Sequence, residues 1–570
     1  LKNILQRIKV SMLTVLLLSA SMVAQDTLRF TNPILAGFYP DPSVCRVGSD
    51  YYLVNSTFSY FPGLPIFTSK DLVNWKLLGY ALDTPEKLNL DGQGVSRGLF
   101  APAIRYHNGQ FYITCTLIDI GGNFVVTAKR PEGPWSAPVW LPQVSGIDPS
   151  LFFDDDGKAY IIFNSDPPDN KGLYPGHRTL RLYEFDSEHL KVVGDEHILV
   201  NGGTDISKKP VWIEGPHIYK VDGLYYLMAA EGGTENGHSE VIFRSKSVDG
   251  PYVPYEQNPI LTQRTLDPQR KNPITSTGHA DLIQTEHGNW WAVFLGCRPY
   301  SMSADGLYNT GRETFLAPVK WKDGWPIINP DYAEVQYSYP YPLPPAPSVS
   351  RRAYSRSISL TDNFTDEELS RDWMFLRTPH ERWFTISKTG VLTMKLKPET
   401  CSGLQNPAFL GFRQHNLTCT ASTILSFDAK AENEKAGLII FQNEQHYYYL
   451  CVSKEKGHNA IQLFKSTKDS VELVTSVQLP ANGKDKWIGL QISAHRDTYA
   501  FSYTFSDKSE KPLSWKIVKK TMPAKFLSTK AAGGFIGSFF GLYATSDGQP
   551  TNNHVDYDWF NYTGNDGLEK

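Results

Sequence analysis

The sequence is short of cysteine, of net charge and, beyond its first two dozen residues, of long apolar runs. Its six cysteines (Cys45, Cys115, Cys297, Cys401, Cys419, Cys451) stand far apart, with no CxxC pair and no Cys/His cluster at zinc spacing. A 570-residue chain has no need of a disulfide framework, so buried thiols are expected, with room for a single bridge. Fifty-six basic against 59 acidic residues leave a net charge of −3, which argues against nucleic acid or an anionic membrane as partner. The run from Val10 to Ala24 is shorter than the about 20 apolar residues of a membrane span. With Lys2, Arg7 and Lys9 before it, the run reads as an export signal over residues 1–24, and the protein is expected to be exported, periplasmic or secreted. No organic cofactor motif appears.

What the sequence has in plenty is aromatic side chains, 13% of residues, punctuated by glycine and proline, the composition of a β-rich protein. Its length points to two domains. Five times a short polar or acidic segment leads into a strand, a turn and a returning strand rich in aromatic or other apolar residues. The copies start at Asp41 (YPDPSVCRVGSDYYLVN), Ala101 (FAPAIRYHNGQFYITC), Asp148 (IDPSLFFDDDGKAYIIF), Glu214 (IEGPHIYKVDGLYYLM) and His279 (GHADLIQTEHGNWWAVF). Each reads as a hairpin around a turn such as Asp155-Asp156-Gly157 or Val221-Asp222-Gly223. Recurrence every 47 to 66 residues predicts a five-bladed β-propeller over residues 25–336. The Pro-rich stretch YSYPYPLPPAPS then marks a linker at 337–350.

In a propeller, the first strand of each blade lines the axis, so equivalent positions converge. Three copies place a carboxylate at what reads as the same point: Asp41, Asp148 and Glu214. One Asp-Pro pair alone is an ordinary turn starter. Three acids in phase suit glycosidic cleavage, which needs one carboxylic acid to protonate the leaving oxygen and one carboxylate to activate water or attack carbon. A third anion beside the acid would raise its pKa. Calcium binding by the trio is the rival reading, disfavoured because the acids come from separate repeats and not one compact loop.

The segments NPILAGFYPDPS, STFSYFPGLPIFTSKDLVNW, LFAPAIRY, GIDPSLFFDDDGKAY, WIEGPHIYK, AEGGT, GHADLI and TGRET, in this order, resemble glycoside hydrolase family 43, the five-bladed β-xylosidases and α-L-arabinofuranosidases. The resemblance implies Asp41 as general base, Glu214 as general acid and Asp148 as the residue that tunes the acid's pKa and orients the sugar. It implies inversion at the anomeric carbon, for which base and acid stand about 6.5–9.5 Å apart. Arg312 corresponds to a pocket arginine, the alternative being a solvated one. Phe58 and Phe100 correspond to aromatic walls, Phe100 standing where close relatives often have tryptophan, and Thr234 is a further pocket residue. His279 corresponds to a histidine that in some members contacts a central ion or water, so a structural calcium beside it is one expectation and a hydrogen-bonded buried histidine the other. No cofactor is required for hydrolysis.

Residues 351–570 alternate as strands (TILSFDA, YYYLCV) and predict an all-β second domain, a β-sandwich, which resembles the concanavalin-like (jelly-roll) domain attached to family members. Within it, GGFIGSFFGLYATS (533–546) resembles a loop that reaches over the propeller, with Phe535 and Phe539 as pocket walls; alternation into the sandwich core is the other reading. The activity expected is exo-hydrolysis of terminal β-D-xylosyl or α-L-arabinofuranosyl units from oligosaccharides. An endo-arabinanase of the same fold and a noncatalytic carbohydrate-binding propeller are the alternatives.

Overall fold

The computed structural model describes residues 28–567 except 304–305, 347–353, 356, 481–486 and 507–513; the expected export signal lies outside the described residues. Five antiparallel sheets follow one another along the chain. Their first strands are Ser43–Val47, Ala103–His107, Ile147–Phe153, Glu214–Val221 and Thr275–Gln284. Each of these contacts the next in turn, and the fifth contacts the first, so the ring closes around an axis. The second strands carry the aromatic and β-branched residues noted in the repeat, and those residues fill the space between blades: Tyr51, Phe111, Ile161, Leu227 and Phe294 are buried. Among the described residues no helix is long and apolar enough to cross a membrane.

The ends of the propeller are tied by a further strand pair, which corrects the reading of 337–350 as a linker throughout. Ser338–Pro340 pairs antiparallel with Arg29–Thr31, with Phe30 opposite Tyr339 and both rings buried. A Pro-rich segment tolerates this because the pairing involves an edge, where a missing N–H costs little.

The second domain is a sandwich of two eight-stranded sheets. Its interior is filled by Leu438, Ile440, Leu450, Ile492, Phe540, Leu542 and Tyr557. One sheet is extended by the propeller itself: Tyr60–Phe61 pairs with Met374–Leu376 as its edge strand. Alternation along Phe539–Thr545 sends Phe540 into the sandwich and Phe539 to the opposite face, where it joins Phe38, Phe58, Tyr60, Phe409 and Phe441 in a cluster spanning both domains. All six cysteines are buried and unpaired, so the single bridge is not formed.

Polar contacts lock the interface. The buried Arg298 bonds Glu313 (2.6 and 2.8 Å), Asp566 (2.5 Å) and the His415 carbonyl (2.9 Å), while Glu313 also accepts from Gly37 N. Gly311 and Gly537 meet across the boundary: a Cβ on Gly537 would lie 2.5 Å from the Thr310 carbonyl oxygen, and one on Gly311 2.8 Å from Gly537 Cα. Neither position has space for a side chain.

Because Phe539 is fully buried against Tyr60, with ring centroids 4.0 Å apart, Phe539→Ala should cost about 3–5 kcal/mol. Calorimetry should show one lowered transition in which propeller and sandwich unfold together; an unchanged propeller transition would separate the domains energetically.

Candidate active site

The pocket lies at the mouth of the axis, and irregular backbone aims its side chains. Register slips in the first strands of blades three, four and five occur between Ile147 and Ser150, Glu214 and His217, and Gly278 and Asp281. These are bulges, which bend a strand and re-aim its side chains. Asp41 (φ 51°), Asp148 (57°), Gly215 (59°) and His279 (52°) all take the left-handed conformation, and the first three precede a proline.

This register corrects the sequence alignment of the acids. Asp41 and Asp148 occupy equivalent positions, but in the fourth blade that position is Gly215, and Glu214 comes one residue earlier. The physical reason is contact: a Cβ at Gly215 would meet the His279 ring 2.8 Å from Nε2. A side chain does not fit there, so the acid is displaced, and the freed Gly215 N–H donates to Asp148 Oδ2 at 3.1 Å.

The three acids are buried and border one cavity of about 320 Å³, at the lower end of ligand pockets. Asp41 is fixed on both oxygens: Arg312 Nη1 donates to Oδ1 at 2.6 Å, and Ser56 Oγ donates to Oδ2 at 2.6 Å. Burial first, then the Asp41 charge, pushes Glu214 up to about 7, against the pull of the Trp212 indole and the charges of Arg312 and Arg178. Asp148 is likewise raised, by burial and by the charges of Glu214 and Asp41. The chief charge acting on the acid is therefore that of Asp41. Asp148 and Glu214 also disfavour each other's ionisation, and Asp148 holds the neighbouring Gly215 N. Two buried carboxyls with raised pKa values, titrating together beside an arginine-paired carboxylate, form a site that holds a proton near neutrality.

The walls are aromatic. Phe58 packs against Phe100 at 5.3 Å and Phe535 at 6.1 Å between ring centroids, and the Arg312 guanidinium lies 5.7 and 5.8 Å from Phe58 and Phe535. Phe535 belongs to the sandwich and is held by its N–H on Ser96 Oγ at 3.1 Å. Thr234 and His279 also border the cavity. Phe539 does not: its ring lies behind the wall, stacked on Tyr60, because strand alternation turns it away from the pocket. Sequence reasoning missed Ser56, Trp212 and Arg178. Trp212 stands two residues before the acid in WIEGP, and Arg178 comes from a loop with no motif.

The surroundings of His279 do not suit a calcium ion. Its Nδ1 lies 4.0 Å from Asp41 Oδ1, an oxygen already held by Arg312, and the Gly215 backbone packs on the other side of the ring. The next donors along the axis, Asp281 and His217 Nδ1, are taken by Arg105, at 2.8 Å each. A guanidinium fills the place where a cation would find ligands. Among the described residues no cluster of three or more His, Cys, Asp or Glu side chains could hold a metal. A larger cavity of about 710 Å³, in the sandwich beside Tyr447 and Phe464, contains none of the three acids.

An arginine-paired Asp41 and a Glu214 of raised pKa, lining one small aromatic pocket, are the carboxyl pair of a carbohydrate-cleaving hydrolase. Residues 30–326 match Glycosyl hydrolases family 43, and residues 361–563 match the beta xylosidase C-terminal concanavalin A-like domain. The chain belongs to glycosyl hydrolase family 43. It is 40% identical over 549 residues, 95% of each chain, to a non-reducing end α-L-arabinofuranosidase of Bacteroides ovatus, and 38% identical to a xylosidase/arabinosidase of Butyrivibrio fibrisolvens, over 93% of this chain and 98% of that one. Among solved structures it superposes on a xylan β-1,4-xylosidase of Bacillus halodurans with a TM-score of 0.83 at 31% identity, covering 94% and 99% of the two chains.

Burying Glu214 where its pKa is raised has a signed consequence for stability. The unfolded chain ionises this group near 4.3, so folding is penalised progressively as pH rises from there toward 7. Glu214→Gln should be more stable than the wild type at pH 8 by about 1–3 kcal/mol, with the difference vanishing near pH 4. Urea denaturation at the two pH values checks this.

Proposed function

We propose that the protein is an exo-acting glycosidase that removes terminal β-D-xylosyl or α-L-arabinofuranosyl residues from xylan-type oligosaccharides. The observation that carries this reading is a Glu214 carboxyl with its pKa pushed up to about 7, lining one pocket of about 320 Å³ with the Arg312-held Asp41. Asp41 accepts a proton from water as that water attacks the anomeric carbon, and Glu214 gives its proton to the departing oxygen. Atoms balance as one glycosidic C–O bond breaks, one C–O bond to water forms, and the configuration inverts. Asp148 and Ser56 hold the two acting groups in place, and Arg312 steadies Asp41 and the sugar hydroxyls near it.

Exo action is supported by the wall that Phe535 adds from the sandwich, which leaves room for a chain end. The xylosidase and arabinofuranosidase names of the relatives support the two pentoses, whose similarly placed hydroxyls suit one pocket. Asp41, Asp148 and Glu214 lining one pocket weigh against a noncatalytic carbohydrate-binding propeller. No metal takes part in this reading, since Arg105 occupies the axial donors. The basic-then-apolar segment over residues 1–24 supports export, with the oligosaccharide met outside the cytoplasm.

Asp41→Asn should lower rates on a chromogenic β-xyloside and α-L-arabinofuranoside by about 10²–10⁴-fold, and Glu214→Gln should do the same on the corresponding disaccharides, whose leaving sugar needs the proton. NMR of the first-formed product should show the inverted anomer, and oligosaccharide digests should release single pentoses. Release of longer oligomers would favour the endo-arabinanase. Chelation by EDTA should change neither activity nor melting temperature, and a loss restored by calcium would overturn the metal-free reading.

A further inference from the structure

Trp212 belongs to the connection between the third and fourth blades and borders the same cavity as Glu214. Its backbone φ of 58° is rare for a bulky aromatic residue, and such conformations persist only where neighbours enforce them. The enforcement here is visible on both sides. Trp212 N donates to the Gly176 carbonyl at 2.8 Å, and Gly232 N donates to the Val211 carbonyl at 2.7 Å. Gly176 takes a φ of 81°, a left-handed conformation that glycine adopts without strain. Over the indole lies the Arg178 guanidinium, 4.0 Å from the ring centroid, itself paired with Asp166. The ring is thus clamped by a loop of the third blade.

Burial across the pocket changes from one side to the other. Asp41, Phe58, His279 and Arg312 are each at most 6% exposed, whereas Trp212 is half-buried and its neighbour Val211 is 46% exposed. The pocket therefore opens on the side of Trp212. In an exo-acting enzyme the terminal sugar fills the buried end and the leaving group protrudes through the opening, next to the residue that protonates it. We propose that Trp212, clamped by Arg178, is the platform for the leaving-group sugar and the positioning residue that turns the Glu214 carboxyl toward the glycosidic oxygen. This rests on the glycosidase reading above. Aromatic faces suit the apolar C–H faces of sugar rings, and the indole N–H is a donor only.

The test compares two leaving groups at the same pentose: an activated nitrophenolate, which departs without protonation, and a sugar in the corresponding disaccharide, which does not. Trp212→Ala should lower kcat/KM on the disaccharide by roughly 10- to 100-fold while changing the nitrophenyl rate only a few-fold. Trp212→Phe keeps a ring but no N–H. It should restore most of the disaccharide KM yet leave kcat reduced, and it guards against misfolding of the alanine variant. The alkaline limb of kcat/KM adds a readout that a structural role would not move. The charged and titratable groups acting on Glu214 are Asp41, Asp148, Glu240, Arg312 and Arg178, and none of them changes in these variants. Loss of the indole donor should therefore move the limb to higher pH in both. Equal losses on the two substrates, or an unmoved limb in both variants, would overturn the assignment to Trp212. A wild type inactive on both substrates would overturn the glycosidase reading itself.

Discussion

The ion pair between Arg312 and Asp41 is the constraint around which the site is organised. Three carboxyls share one small cavity; a guanidinium at 2.6 Å pairs with Asp41, while burial and neighbouring charges push the pKa values of Glu214 and Asp148 up. The unlike surroundings of the acids that glycosidic cleavage requires thus arise from where one arginine sits. Arg312 in turn follows Gly311, whose close approach to Gly537 depends on the sandwich being docked. The charge distribution at the axis and the seating of the second domain are one problem.

That coupling explains why the interface resembles a domain core more than a hinge. A strand of the propeller completes a sandwich sheet, Arg298 joins the two with Glu313 and Asp566, and Phe38, Phe58, Tyr60 and Phe539 pack in one cluster. An interface that is large, apolar and hydrogen-bonded removes relative motion. Phe535 can then serve as a fixed wall beside Phe58 and Phe100, and the sandwich completes the enzyme in the way a loop insertion would in a single-domain protein.

Much of the fold was legible because propeller blades repeat locally: each start, turn and apolar returning strand is contained within about 20 residues. The same reading misplaced Glu214 by one position. Alignment of similar letters does not reveal that His279, 64 residues later in the chain, already occupies the space beside Gly215. Phe539 was open for a related reason. Alternation says that Phe539 and Phe540 face opposite ways, but which face meets the propeller depends on the docking of the sheet. Arg178 and Ser56 carried no motif, since each matters only for what it touches. Arg105 stood in the recognised LFAPAIRY segment, yet its place in the axis, between Asp281 and His217, comes from convergence of three blades.

By itself the sequence determined the five blades, the sandwich and the three acids, because hairpin periodicity and side-chain chemistry are properties of short segments. Only the tertiary structure decided how protonation divides among those acids, which phenylalanine walls the pocket and what fills the axis. Electrostatic energies and steric exclusion depend on distances of a few ångströms between residues far apart in the chain, and those distances come into being when the ring closes and the sandwich docks.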